Sequence, residues 1–526
     1  MKLNLKTDWK SWNPDYKLPK FDIEKMKLVT NRNPTWLHMG AGNIFRIFVG
    51  SVQQALLDKE LTDTGIIVYE SYDESIIPES FTPYDNLTLG VTLNADGSIQ
   101  KEVIASIADA FCCDLPRLRD IIENPNLQII SFTITEKGYF VDPAKVSPSP
   151  YEAKTALEEV VAGLVSRFDF HRCNDVVPPL ALVSMDNFAE NGTKLANSVL
   201  AIAEVWFKNG EVSEGFIEYV KSLSYPWTMI DKITPRPSTE VAEMLAKDGY
   251  EDVKITETPK HTFTASFVNA EAAKYLIMED SFPNGRPPFE KISNSGVYIT
   301  DKETVRKMDQ MKVCACLNPL HTILAISGML LNYPTISQCM TDKRLISLLR
   351  KSSLESLPVV DDPGIISPED FLEEVLTERF PNPFIPDAPA RIACDTSQKV
   401  PVRFGETLKK RKEKGLSVCE LEAIPVFIAL WLRYRMGKDD AGAKLELSPD
   451  PRIPNTFDVL TDLPFGDGEK VDLSPILSDV SIFGLDLYTV MLDSGKSLAD
   501  EIKTLFCEFS KKPNAVSEYL SKLYGK

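Results

Sequence analysis

The chain lacks any run of roughly 18 apolar residues and any charged leader followed by an apolar stretch, so its sequence predicts neither a membrane span nor a signal peptide. Histidine is scarce: four in 526 residues, dispersed at His38, His171, His261 and His321. The nine cysteines (Cys112, Cys113, Cys173, Cys314, Cys316, Cys339, Cys394, Cys419 and Cys507) form no CxxC pair. Neither a zinc ribbon nor a disulfide framework is indicated, and no metal is expected. Positive charge is also short, and a formal net charge of −18 argues against a nucleic-acid or anionic-membrane surface. These absences describe a soluble cytoplasmic protein whose partner is a small molecule. They carry no sign of an oligomeric state.

What is present is globular. Hydrophobic residues make up 43% and charged residues 25%, and 526 residues are too many for one core. After a Lys-, Asp- and Pro-rich arm of about 33 residues, Thr35 to Met39 read as a strand running into Gly40-Ala41-Gly42-Asn43. Ile44, Phe45, Phe48, Val49 and Val52 then recur at helical spacing, and the stretch from Gly65 to Glu70 reads as a second strand. In such a unit a pyrophosphate approaches bare backbone at a helix N-terminus, and Glu70 would accept the adenosine ribose hydroxyls. A carboxylate there repels a 2′-phosphate, so NAD is favoured over NADP. Phe45 stands where a third glycine is usual, and glycine pairs also occur in plain tight turns.

Two further strands end in polar clusters. LQIISFTIT runs into Thr135-Glu136-Lys137-Gly138-Tyr139, and PLALVS into Met185-Asp186-Asn187, with Asn191-Gly192 and a helix beyond. Ligands of open α/β sheets bind beyond the carboxyl ends of strands, so a nicotinamide and its substrate are expected there; the plainer alternative is that Glu136 and Asp186 cap turns. The Pro- and Gly-rich stretch from Glu279 to Glu290 marks a domain boundary, and beyond it segments 303–316, 319–332, 343–351, 369–379, 420–436, 474–493 and 497–509 carry apolar residues at helical spacing. The expected organisation is an α/β protein: a Rossmann-type domain over 1–300 and a mainly α-helical domain over 301–526.

The stretch KVCACLNPLHTILAISGMLL places Lys312, Asn318 and His321 beside one long apolar helix. A lysine of ordinary pKa about 10.4, desolvated beside other cations, becomes a usable base near neutral pH. The competing reading is a snorkelling lysine and a satisfied core histidine.

HMGAGNIFR, TITEKGY, SMDNFAENG, MIDKITP, EDSFPNGRPPFE, KVCACLNPLHT and RIACDTSQK, in order from His38 to Lys399, together resemble the mannitol dehydrogenase family of polyol-specific long-chain dehydrogenases and reductases. The resemblance implies a Rossmann domain for the nicotinamide cofactor, a helical substrate domain and no metal. Lys312 corresponds to the catalytic lysine, Asn187 and Asn318 to amide donors, and Asp231, His321, Arg391 and Lys399 to substrate contacts. Gly40, Gly42, Asn43, Arg46, Glu70, Thr135 and Glu136 are the expected cofactor residues. The family usually has four residues between the lysine and the second asparagine, whereas Val313 to Leu317 make five here. An extra residue rotates the downstream part of a helix by about 100°, so a bulge, kink or break is predicted between Lys312 and Pro319 that lets Lys312 and Asn318 converge.

Lys312 would take the proton of a secondary alcohol as its carbon gives hydride to NAD, with Asn187 and Asn318 donating to the developing alkoxide. Asp309, one turn earlier, could pass that proton to solvent. Arg236 comes after Asp231 in one loop, and a guanidinium suits a carboxylate better than neutral hydroxyls, which favours a mannonate and fructuronate pair over mannitol and fructose. A non-catalytic NAD and sugar-acid sensor is a further alternative, opposed by the retention of Lys312, Asn187 and Asn318.

Overall fold

The computed structural model describes every residue except 10–11, 173–176, 419–420, 493 and 526, so Cys173 and Cys419 lie outside the described residues. Two compact units are present, Met1–Arg306 and Lys307–Lys526, dividing inside the helix Lys302–Met311.

Five short strands form the central sheet of the first unit: β1 (Trp36–Met39), β2 (Ile66–Glu70), β3 (Ile107–Cys112), β4 (Ile129–Phe132) and β5 (Ala181–Ser184). All neighbours are parallel, in the order β3-β2-β1-β4-β5. That is a Rossmann sheet, with its switch point between β1 and β4. The strands read as continuous apolar runs because both faces are covered. Leu37, Met39, Ile67, Ile130, Phe132 and Leu182 pack on one side in a cluster with the helices Leu115–Glu123, Ala156–His171 and Asn191–Lys208. Trp36, Ile66, Val68, Ile129 and Val183 pack on the other side, with Phe45, Phe48 and Val49.

Two features of this unit depart from expectation. The N-terminal stretch is folded in: Tyr16–Lys17 pairs in parallel with the strand Ile99–Ile104, and Trp12 lies edge-on to Tyr16 at 5.4 Å and to Tyr250 at 6.2 Å. Its aromatic residues outweigh its charged and proline-rich composition. The stretch 279–290 is a braced loop, in which Arg286 Nε lies 2.7 Å from Asp280 Oδ1 and Nη1 2.7 Å from Glu290 Oε2.

The second unit is helical. Its helices include Asn318–Leu330, Lys343–Ser356, Ala423–Tyr434, Leu498–Phe509 and Ala515–Tyr524. The expected helix 474–493 runs into residue 493, outside the described residues, and its described part is not one helix but the short turns Ser474–Leu477, Val480–Phe483 and Leu487–Thr489. Gly484, at φ +74°, ends the second of these in a left-handed cap. Among the described residues, Lys302–Leu330 is long and apolar enough to cross a membrane by composition alone, but its apolar window is 72% buried inside the protein, as in a core helix.

The predicted helix irregularity is present. Lys312–Cys316 is a π-turn, closed by the Leu317 N–H donating to the Lys312 carbonyl at 3.2 Å, and Asn318–Leu330 starts afresh with Pro319 in its first turn. One surplus residue is thereby absorbed in one wide turn.

Candidate active site

In the first unit β1 ends in the glycine turn. Gly40 has φ +105°, and a Cβ on it would lie 2.5 Å from the Thr133 carbonyl oxygen, just past β4. Only glycine lets the chain close over the switch point here. Gly42 is different, since a Cβ there would meet nothing within 4 Å. Open space therefore faces the backbone where the helix begins, with half-buried Asn43 in its first turn. First-turn N–H groups have no intrahelical acceptor and attract anions, so this cradle fits a dinucleotide pyrophosphate.

Glu70, 5% exposed, braces that turn. Its Oε2 accepts from the Ala41 N–H at 2.7 Å, and Oε1 accepts from Tyr72 and Asp73 N–H at 2.8 and 2.9 Å. Arg46 requires a correction. Rather than reaching a cofactor it is wholly buried, with Nε 3.1 Å from Thr88 Oγ1 and its guanidinium 5.2 Å from the centre of the Phe81 ring. Burial pushes its pKa down to about 10. It sits in the wide turn Phe45–Val49, and its contact is with Thr88 at the start of the strand Thr88–Leu93.

Past β4, Thr135 is exposed and held at φ +65°, a strained conformation for a β-branched residue. Asp186 supports it: the carboxylate accepts from Ile134 N–H at 2.8 Å, Thr135 N–H at 3.1 Å and the Tyr139 hydroxyl at 2.8 Å. Burial raises the Asp186 pKa, although all three donors oppose the rise. Glu136 is exposed and pairs with Lys194 at 3.1 Å. Asn187 is exposed beyond β5, while Asn191 is buried and donates to Thr228 Oγ1 at 2.9 Å and accepts from Thr228 N–H at 2.9 Å. His38 bonds Ser131 Oγ at 2.6 Å and Thr133 Oγ1 at 2.9 Å, and burial pushes its pKa to about 3, so it is neutral. Asp231 is buried at the end of the strand Thr228–Asp231. Arg236 is exposed, its guanidinium 4.5 Å from the centre of the Phe263 ring.

The second unit gathers the others. Lys312 is 1% exposed and opens the π-turn, and Asn318 is half-buried. His321 Nε2 lies 2.9 Å from Asp387 Oδ2, and Asp387 Oδ1 accepts from Arg391 Nη2 at 2.6 Å. Burial lowers the His321 pKa against the pull of Asp387. For Asp387 burial acts upward but is outweighed by His321 and Arg391, which hold it low. Lys399 donates to the Ile392 and Cys394 carbonyls at 2.8 and 2.6 Å, and burial, with the nearby Arg403 charge as the next cause, lowers its pKa to about 8.

Arg403 and Asp387 were not singled out from sequence. Asp387 had one signal, its i,i+4 spacing to Arg391. Arg403 had none beyond its place four residues after Lys399. Its Nη1 donates to the Asn318 carbonyl at 3.2 Å and to Thr322 Oγ1, burial lowers its pKa to about 10, and no carboxylate among the described residues pairs with it.

Residues 34–291 match the mannitol dehydrogenase Rossmann domain, and residues 304–503 the mannitol dehydrogenase C-terminal domain. The chain belongs to the mannitol dehydrogenase family. D-mannonate oxidoreductase of Thermotoga maritima is 43% identical over 100% of this chain and 99% of its own length. Mannitol 2-dehydrogenase of Cereibacter sphaeroides is 27% identical over 80% and 84% respectively. Among solved structures a substrate-free D-sorbitol dehydrogenase superposes with TM-score 0.80 at 23% identity, covering 98% of this chain and 100% of the other, which establishes the shared fold.

The bracing of the mannitol dehydrogenase family's glycine turn can be tested at Glu70. Glu70→Ser removes the acceptor of three backbone N–H groups. It is expected to lower unfolding stability by about 2 kcal/mol or more, read from urea denaturation. An unchanged midpoint would show that those groups do not depend on the carboxylate.

Proposed function

We propose that this protein is an NAD-dependent oxidoreductase interconverting a hexonate with its keto-hexuronate, of the mannonate and fructuronate type. The observation that carries this reading is the full-length 43% identity to a D-mannonate oxidoreductase, against 27% to a mannitol 2-dehydrogenase. The grouping of Lys399 and Arg403 in the same unit as Lys312 and Asn318 supports it, since two cations with no carboxylate paired to them among the described residues suit an acid substrate, while Arg391, paired with Asp387, is proposed as a further substrate contact. The protein is proposed to work in the cytoplasm.

NAD, when bound, supplies the hydride acceptor, and NADH the donor. The Gly40–Gly42 turn and the first turn of the adjoining helix would hold its pyrophosphate, with Asn43, Thr135 and Glu136 as further contacts. Glu70 fits NAD better than NADP, because its charge opposes a 2′-phosphate even while its oxygens brace the turn.

Lys312 is the proposed acid and base, without a metal. It takes the proton of the reacting hydroxyl in oxidation and returns it in reduction. Asn318 donates to the developing alkoxide, and Asn187 of the first unit is proposed as a further amide donor. His321, oriented by Asp387, and Asp231 would bind substrate hydroxyls. Asp309 would exchange the proton with solvent. For the carboxylate the proposal moves from Arg236, whose guanidinium face lies against Phe263, to Arg403, which is half-buried beside Asn318 without an acidic partner among the described residues.

Lys312→Ala is expected to lower kcat in both directions by about 10²–10⁴-fold, while the Kd for NADH, measured by fluorescence quenching, changes by no more than about twofold. A near-normal kcat would remove the lysine from the reaction.

Lys399 has a pKa of about 8 in the free protein, so its positive charge is present below that pH and lost above it. The kcat/KM for fructuronate should therefore fall as pH rises through about 8, and Lys399→Met should flatten that limb. Arg403→Gln should lower kcat/KM roughly tenfold or more across the whole range. An unaltered profile in Lys399→Met together with full activity in Arg403→Gln would contradict the carboxylate assignment.

A further inference from the structure

Apart from the residues assigned to the cofactor, the first unit holds a cavity of about 450 Å³. One wall is the apolar flank of the helix after the glycine turn, with Ile47, Phe48 and Val52. The loop Ser293-Asn294-Ser295 lines another part. The charged lining is four lysines, Lys17, Lys101, Lys232 and Lys274, against one carboxylate, Glu102, with no arginine. In a chain of net charge −18 this reverses the prevailing sign.

Most of these lysines have local work. Lys17 pairs with Glu102, Lys101 pairs with Asp248, and Lys232 donates to the Glu271 carbonyl at 2.6 Å. Lys274 differs, because no hydrogen bond or ion pair engages it among the described residues. Desolvation lowers its pKa, Glu102 pulls the other way, and Lys17 adds to the lowering. A cationic group thus faces the cavity with its charge incompletely compensated.

We propose that this cavity binds a phosphorylated small molecule of sugar-phosphate size, with a phosphate at Lys274 and the rest of the molecule against Ile47 and Phe48. The volume lies in the range of small-ligand sites. Lysine ammonium groups bind phosphate as point charges, and a doubly charged phosphate gains more from a cluster of them than a single carboxylate does. Ser293, Asn294 and Ser295 supply hydroxyl and amide donors. The proposal does not depend on the oxidoreductase reading, since none of the lining residues belongs to the glycine turn or to the ends of β2, β4 and β5.

The test is calorimetric titration of the full chain, saturated with NADH, with fructose 1,6-bisphosphate at low ionic strength and, separately, with citrate. The expected result is saturable one-site binding of the bisphosphate that weakens with added salt and is roughly tenfold or more tighter than that of citrate. Lys274→Ala should weaken it by roughly tenfold or more, Lys274→Arg by much less, and Ser293→Asp should reproduce the loss by adding negative charge at the rim. NADH affinity in each variant, unchanged, shows that the fold is intact. Absence of saturable bisphosphate binding, citrate binding as tightly, or wild-type affinity in Lys274→Ala and Ser293→Asp would each overturn the assignment.

Discussion

The wide turn Lys312–Cys316 is the constraint on which the chemistry proposed for the second unit depends. A regular helix would carry a buried lysine at 312 and an asparagine at 318 out of the relation that the family spacing requires, because one surplus residue turns everything downstream by about 100°. The π-turn confines that surplus to five residues, after which Leu317 leaves helical geometry and Pro319 opens a new helix. His321 then reaches Asp387, and the Asn318 carbonyl receives Arg403. Backbone irregularity here is where the surplus residue is taken up.

In the first unit, polar side chains shape the backbone in a related way. Glu70 binds three N–H groups around the glycine turn, Asp186 gathers two N–H groups and the Tyr139 hydroxyl, and Asn191 ties the end of β5 to Thr228. Each holds a loop at the carboxyl end of the sheet, where a Rossmann fold binds its ligand. Gly40 completes the set by allowing an approach that any Cβ would block.

Much of this was legible in the sequence. Continuous apolar runs ending in glycine or polar clusters marked β1, β2, β4 and β5, since parallel strands covered on both faces leave that signature. The spacing from Lys312 to Asn318 announced the helix irregularity. Long-range packing was less visible. The fates of Arg46 and Arg403 depend on strands and helices far away in the chain, so local pattern could not separate the arginine that packs against the strand Thr88–Leu93 from the one that packs beside Asn318. The N-terminal stretch was obscured by its lysines and prolines, although Trp12 and Tyr16 are what pack it against Tyr250. Likewise 474–493 has helical spacing but is divided by Gly484 and short turns.

Acid recognition is thus proposed beside the proposed proton carrier, with Arg403, in the turn Pro401–Gly405, donating to the carbonyl of Asn318 at the head of its helix, and with Lys399 close enough to Arg403 to feel its charge. The measurement that bears on it most directly is the initial rate of NADH oxidation at 340 nm with D-fructuronate and with D-fructose under the same conditions. A kcat/KM for fructuronate about 10²-fold or more above that for fructose is expected, as for a substrate that keeps a charge-assisted pair its neutral analogue lacks. Equal values, or a preference for fructose, would contradict the central claim.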